Sequence, residues 1–280
     1  MRITRRRFLA ALGFGGAGFA ADMRLFEPHA LTIGRHEIAL GFAGKRPPLR
    51  LLHLSDFHAS DCVSLGFIEE SVRLGLSLEP DLVCLTGDFI SWRWEAWERY
   101  AHILAMLAQR APSFACLGNH DGGRWAASSR HRGYPDTAAV RALLAQAGVE
   151  LLHNASRTPH IGGGPLTLVG VGDLWAHELD ADAAFADVPA ETVKILLNHN
   201  PDAKDKVAAH DWQLMLSGHT HGGQCRLPFL GTPFAPVGDL RFVEGLREWR
   251  GRWIYVTRGV GNLHGLRFNC RPEVSLLTLV

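Results

Sequence analysis

The chain has 280 residues, 47% of them hydrophobic, with 29 basic against 28 acidic side chains and five cysteines. That length and apolar content can bury a full core and favour one large domain over two. The near-cancellation of charge argues against a dedicated polyanion-binding surface, so no nucleic-acid partner is expected. Cys62, Cys84, Cys116, Cys225 and Cys270 are odd in number, widely spaced and without a C-x-x-C pair, which argues against a disulfide framework.

At the N-terminus, Thr4-Arg5-Arg6-Arg7-Phe8-Leu9 leads into an uncharged stretch over residues 8–21 that is rich in Ala and Gly. It resembles a twin-arginine export signal, and it is too short and too weakly apolar to be read as a membrane span. The expectation is a signal segment over 1–21, served by the twin-arginine export machinery, and a domain over 22–280 delivered to the periplasm or beyond. Gly18 and Ala20 permit cleavage near Ala20-Ala21; an uncleaved segment would tether the protein to the membrane surface. Removing 1–21 takes away Arg2, Arg5, Arg6 and Arg7 and no acid, so the formal net charge moves from +1 to −3. The basic excess belongs to the leader.

Next come an expected strand over 30–40, a turn at Pro47-Pro48 and a strand over 49–55. Apolar residues at three- and four-residue spacing predict amphipathic helices over 65–78 and 96–107, with strands over 82–86 and 114–117. The β-α-β-α-β order from 49 to 117 favours a right-handed parallel arrangement. From 149 onward short strands dominate, over 149–152, 166–171, 193–197, 212–216, 253–257 and 274–279. A second sheet packed on the first, with helices outside, buries them all. Cys84 and Cys116 sit inside strand runs as small hydrophobes. The glycine-containing loops 122–133 and 222–238 are expected to rim a site.

Five short segments carry metal-binding side chains: Asp56-Phe57-His58, Gly87-Asp88, Gly118-Asn119-His120-Asp121, His199 and Gly218-His219-Thr220-His221. The first four follow apolar runs, so their polar atoms emerge at C-terminal strand ends, where open α/β folds build sites. Carboxylate, imidazole and amide oxygen together suit manganese, iron or zinc rather than calcium or copper(I). About eight ligands are too many for one tetrahedral ion and a sensible number for two, held about 3.5–4 Å apart by a shared carboxylate. Taken singly, the first two segments are weak. The third is more specific, because Gly118 lets the backbone turn tightly and crowds three polar side chains together. In the fifth, two imidazoles two residues apart point the same way in extended chain.

The joint order resembles the calcineurin-like metallophosphoesterase superfamily, whose pattern runs D-x-H, G-D, G-N-H-D/E, H and G-H-x-H. Every element is present, and the resemblance runs from about Leu49 to the C-terminus. It implies a four-layer α-β-β-α sandwich of two mixed sheets flanked by helices. It also implies two divalent cations, manganese foremost, with iron or zinc also suited. Asp56, His58, Asp88 and His221 would bind one ion; Asp88, Asn119, His199 and His219 would bind the other, with Asp88 bridging. His120 is the pattern's non-ligand histidine that faces the phosphate. On this reading a metal-bridging hydroxide attacks phosphorus in line, His120 steadies the developing charge or protonates the leaving oxygen, and Asp121 orients His120 or a ligand.

Ser91 stands where purple acid phosphatases would place a tyrosine ligand, and Phe89-Ile90-Ser91-Trp92 replaces the protein-phosphatase continuation, so neither branch fits. The segments Thr257-Arg258-Gly259-Val260-Gly261, Arg267-Phe268 and Arg271-Pro272-Glu273 resemble the close of a bacterial branch. That branch is described as phosphodiesterases or as UDP-2,3-diacylglucosamine hydrolases of the lipid A pathway. Arg258 and Arg267 are candidate phosphate contacts, with a surface ion pair as the open alternative. Trp92, Trp94 and Trp97 would bind an acyl chain, a nucleobase or the membrane interface if exposed, and pack the next helix if not. His53 is expected in the core and His102 in solvent. Asp61, Asp173 and His264 are further site candidates, with turn capping equally open.

The expected function is hydrolysis of a phosphodiester or pyrophosphate bond in a small-molecule or lipid-linked substrate, with UDP-2,3-diacylglucosamine the first named candidate. A general periplasmic phosphodiesterase or phosphomonoesterase is the alternative. A non-catalytic metal-dependent binding protein is the alternative of another class, and an intact His120 argues against it. Export and a lipid A substrate pull apart, because such precursors are processed on the cytoplasmic side.

Overall fold

The computed structural model describes residues 18, 20–42, 47–128 and 132–280, so the arginines and nearly all of the expected export signal lie outside the described residues. In chain order the strands are β1 (Thr32–Ile38), β2 (Leu49–Leu54), β3 (Leu82–Thr86), β4 (Ser113–Cys116), β5 (Glu150–Leu151), β6 (Ala155–Arg157), β7 (His160–Ile161), β8 (Gly164–Pro165), β9 (Thr167–Gly170), β10 (Lys194–Leu197), β11 (Leu214–Ser217), β12 (Gly245–Trp249), β13 (Arg252–Val256) and β14 (Glu273–Leu279). The α-helices are α1 (Leu65–Leu76), α2 (Trp97–Arg110), α3 (Ala138–Ala147) and α4 (Ala181–Phe185).

Two six-stranded sheets form. The first has the order β1-β14-β2-β3-β4-β5 and the second β12-β13-β11-β10-β9-β6, with β7 and β8 as a separate small ribbon. Strands β2 to β5 run parallel, as expected, and β14 is antiparallel to β2. In the second sheet β9, β10, β11 and β13 are parallel, while the edges β12 and β6 are antiparallel. Both sheets are therefore mixed.

Side chains alternate across a strand, so each strand of a middle layer serves two cores. Leu52, Leu54, Val83 and Leu85 face outward beneath the helices, where Ile68 and Val72 of α1 and Ile103 and Leu104 of α2 meet them. Leu49, Leu51, Leu82 and Cys84 face inward against Ile195, Leu197, Leu214 and Leu216 of the second sheet. The far face of the second sheet, with Leu196, Met215 and Ile254, is covered by Ala184 of α4 together with Val207, Trp212 and Phe242. This is the expected four-layer α-β-β-α order, with the fourth layer built from one short α-helix, 3-10 turns and loops.

Local chemistry sets the boundaries. Ser64 caps α1 by accepting from the Phe67 amide, and Gly148, at φ 72°, ends α3. The strand expected over 212–216 starts two residues later, because Trp212 turns into the outer core and donates its indole N–H to Val207 O. Strand β12 was not expected: its Arg247 and Glu248 are exposed on a sheet edge, where no apolar alternation is required.

Candidate metal centre

The five motif segments meet at one end of the two sheets. Asp56 and His58 follow β2, Asp88 follows β3, Asn119 and His120 follow β4, His199 follows β10, and His219 and His221 follow β11. All eight side chains are buried. Main-chain bonds knit the strand ends together: the Asp56 amide donates to Gly87 O, the His58 amide to Asp88 O, and the Gly218 amide to His199 O, each at 3.0 Å.

Asp56, His58, Asp88, His219 and His221 have φ between 49° and 69°, the left-handed region that non-glycine residues rarely occupy. Five ligand positions therefore carry backbone strain, the pattern associated with pre-organised sites. Glycines make room for them. A Cβ on Gly118 would lie 2.3 Å from Asp88 Oδ1, and one on Gly218 would lie 2.2 Å from Asp56 Oδ2.

The donor atoms converge as a two-ion site requires. Asp88 Oδ2 lies 3.3 Å from His58 Nε2 and 3.2 Å from His199 Nε2, so one carboxylate oxygen stands between two imidazoles from different sheets. Nε2 atoms of His58 and His221 are 3.1 Å apart, and Asp56 Oδ1 lies 3.5 Å from His221 Nε2. On the other side, His219 Nδ1 is 3.3 Å from His199 Nε2. Separations near 3.3 Å are what ligand bonds of about 2.0–2.2 Å around a shared cation give. Asn119 Oδ1 is buried with no hydrogen-bond partner among the described residues, and Asn119 lines the same cavity as Asp88 and His219. The residues fit divalent cations: among the described residues Asp56, His58 and His221, then Asp56, Asp88 and His199, and then His58, Asp88 and His120 each bring ligand atoms within 4.8 Å of one another.

Outer contacts fix the ligands. Thr86 O can only accept, so His199 carries its proton on Nδ1 (2.6 Å) and presents Nε2 toward Asp88. Ser91 Oγ meets His58 Nδ1 at 3.2 Å, and Ser91 O accepts from His120 Nδ1 at 2.7 Å. Ser91 thus orients one ligand and the non-ligand histidine together. In the sequence it stands out only as the residue at the place of a tyrosine ligand. Asp121 accepts from the amides of Asp88, Phe89 and Gly118 at 2.7–2.9 Å. It holds the turn that carries the bridging carboxylate rather than the ring of His120.

Electrostatics follow from burial. Burial pushes Asp56 up to about 6, and burial with the Asp88 charge pushes Asp121 up to about 8. Burial lowers His58 and His219 well below the usual imidazole range and brings His221 down to about 3. His199 moves the other way: burial opposes its charge, but the adjacent Asp88 carboxylate overrides it. Three histidines are therefore held neutral, the form that coordinates.

Above these residues lies a cavity of about 490 Å³, floored by Asp88, Asn119, His120, His219 and His221. One wall is aromatic. His120 sits edge-on between Trp92 (5.2 Å) and Trp125 (4.7 Å), Trp125 leans on Trp175 (5.9 Å), and Trp175 meets His219 at 4.3 Å. Phe234, Pro236, Leu263 and Leu266 give the cavity further apolar wall, and Thr220, Gln224, Cys225 and His264 also line it.

Of the three expected tryptophans, only Trp92 lines the cavity; Trp94 and Trp97 pack beside the helical core and meet Tyr134. Trp125 lies in the 122–133 loop expected to rim the site, whereas Trp175 stands in a loop without a motif and is placed by Asp173, which accepts from the Trp175 and Ala176 amides. The candidate Asp61 is exposed. His53 is buried in the core as expected, 2.8 Å from Thr86 Oγ1.

The two arginines are corrected. Arg267 is fully buried and donates to the carbonyls of Cys270, Arg258, Gly259 and Gly261. Arg258 pairs with Glu273 at 2.9 Å and donates to Thr32 Oγ1. Neither lines the cavity. Their work is to shape the closing loop, whose Val260 and Gly261 amides donate to Ser55 O and Asp56 O.

A family model described as calcineurin-like phosphoesterase matches residues 49–223. Phosphodiesterase YaeI of Escherichia coli (strain K12) is 41% identical, covering 99% of this chain and 100% of that protein. The uncharacterized metallophosphoesterase YkuE of Bacillus subtilis (strain 168) is 30% identical, with 99% and 98% covered. UDP-2,3-diacylglucosamine pyrophosphatase LpxG of Chlamydia trachomatis is 29% identical, with 82% and 83% covered.

Proposed function

We infer, for a chain that belongs to the calcineurin-like phosphoesterase family and is thus a phosphoester hydrolase, that it cleaves a phosphodiester bearing an apolar group. The observation that carries this reading is the cavity itself, which sets polar ligands on its floor beneath aromatic and aliphatic walls. No lysine or arginine stands among the described residues that line it. Among the described residues no guanidinium or ammonium is offered to substrate charge there, which suits a single diester anion better than a row of phosphates that would call for arginine forks.

Asp56, His58, Asp88 and His221 would hold one divalent cation, and Asp88, Asn119, His199 and His219 a second; manganese, iron and zinc all suit this set. Such ions, when bound, supply Lewis acidity toward the phosphoryl oxygens and lower the pKa of water. The protein's own groups do the rest. Asp88 and Asp121 keep the ligand turn in place. The Ser91 carbonyl fixes the Nδ1 proton of His120, so the opposite ring nitrogen can exchange a proton with the leaving oxygen. The tryptophan wall excludes water and grips the apolar group.

A pyrophosphate bond in UDP-2,3-diacylglucosamine is the second reading, supported by the apolar walls and by the relative that bears that name. The chain's opening Thr4-Arg5-Arg6 and the uncharged residues after it support export through the twin-arginine route, with either cleavage near residue 21 or retention as a membrane tether. Replacing Arg5 and Arg6 by lysine should leave the protein in the cytoplasm; unchanged export removes that part of the reading.

The deciding assay is turnover by manganese-loaded protein on bis(nitrophenyl) phosphate, nitrophenyl phosphate and UDP-2,3-diacylglucosamine. We expect the diester to be hydrolysed fastest. Preference for the monoester would replace the reading with a phosphomonoesterase, and preference for the nucleotide lipid would promote the second. Turnover of none by fully loaded protein would leave a metal-dependent binding protein.

A further inference from the structure

The apolar wall of the cavity continues onto the outside of the protein. Phe234, which lines the cavity, is 73% exposed, and the same loop presents Leu230 at 73% and Phe229 as fully exposed as an isolated residue. These side chains are held out. The loop tip is closed by paired main-chain bonds, Leu227 N–H to Gly231 O (2.7 Å) and Gly231 N–H to Leu227 O (3.0 Å). Phe229 sits at φ 66°, a conformation costly for a bulky residue and needless in a loop that only has to cross water.

The loop is bonded to the start of the described chain through one intermediate segment. The Arg226 amide donates to Phe268 O, the Arg267 amide donates to Met23 O, and Glu27 accepts from the Cys270 amide. Leu25 and Phe26, 62% and 65% exposed, belong to that N-terminal segment. In sequence, the uncharged residues 8–21 run directly into it. Among the described residues, five of the seven large exposed hydrophobics therefore lie on these two segments, tied by way of residues 267–270, and one of the five, Phe234, lines the cavity.

We propose that this edge is an interfacial docking surface that inserts Phe229 and Leu230 into the outer layer of a lipid bilayer. Docking there presents the cavity, along its Phe234 wall, to the apolar group of a substrate dissolved in that layer. The occupant is a bilayer rather than a second protein because the N-terminal segment at this edge directly follows, in sequence, the uncharged residues 8–21, and because insertion of isolated side chains from a tight turn suits an acyl boundary. No helix of the described residues is long and apolar enough to cross a membrane.

The test uses the full chain and its Phe229→Ser/Leu230→Ser variant, neither position being part of the cavity lining. Flotation with phosphatidylcholine vesicles is read at low salt and at about 0.5 M NaCl, where exposed ionic contacts are screened. We expect the full chain to float at both salt concentrations and the variant's partition to fall by about tenfold or more. Equal partition of the two proteins, failure of the parent to float, or a dimer that dissolves in the variant would each overturn the proposal. Hydrolysis of bis(nitrophenyl) phosphate without vesicles is expected to be the same for both proteins. Flotation reads docking without turnover and this assay reads chemistry without membrane, so failure of one reading is distinguishable from failure of the other.

Discussion

His120 shares the floor of the cavity with the residues gathered around Asp88, whose carboxylate accepts from the His120 amide at 2.9 Å. His120 is held by Ser91 O and flanked by two tryptophans, and its ring lies edge-on to that of His58 at 5.0 Å. Replacing it by alanine should leave metal content intact while lowering kcat on a diester by about 10²–10⁴-fold; elemental analysis beside steady-state kinetics checks both halves. Gly118→Ala should do the opposite. Its new Cβ would press on Asp88 Oδ1 and the Asp88 amide, so metal affinity should fall by about 10–100-fold, measured by competition with a chelating dye. That the candidate ligands would gather at one end of the sheets was legible in sequence, because most of their segments close an apolar run with an unusual polar group. The roles of Ser91, Trp125 and Trp175 were not, because a carbonyl contact and an aromatic wall assembled from separate loops leave no local pattern.

Among the elements, strands buried on both faces read clearly, since their continuous apolar runs need no partner to be recognised. Helix α3 and strand β12 were missed, the first an alanine-rich stretch whose apolar spacing went unused and the second a polar edge. Arg258 and Arg267 show the limit most plainly: an arginine in sequence suggests an anion, yet Arg267 spends its guanidinium on main-chain carbonyls. Arg267→Lys keeps the charge but not the fork, and should destabilise the protein by roughly 2–4 kcal/mol, read from denaturant unfolding. On β2, burial brings His53 down to about 3. Its folded pKa lies below the unfolded value, so the unfolded chain binds the extra proton and stability falls as pH drops from about 6.5 toward 3. In His53→Gln the stability–pH slope between about pH 6 and 4 should be shallower by up to about 1.4 kcal/mol per pH unit. An unchanged slope would mean that His53 is already charged in the fold.

At the scale of the whole molecule, the metal centre is a joint between two sheets. His199 and His221 come from one and His58 and Asp88 from the other, so bound cations should act as a cross-link that the unfolded chain lacks. Chelation should lower Tm by on the order of 5 °C or more, with recovery on adding manganese; a Tm indifferent to chelation would show that the sheets hold without it. The closing loop has a consequence in time. All ligands lie between residues 56 and 221, but the amides that support Ser55 and Asp56 belong to Val260 and Gly261, and that loop is pinned by Arg267. The strand beside β2 is the last one, β14, and it joins the first, β1, by pairing Thr32 with Glu273. A nascent chain leaving the ribosome therefore carries every candidate ligand well before it can shape them, and competence to hold metal arrives only after residues 260–279 have been made.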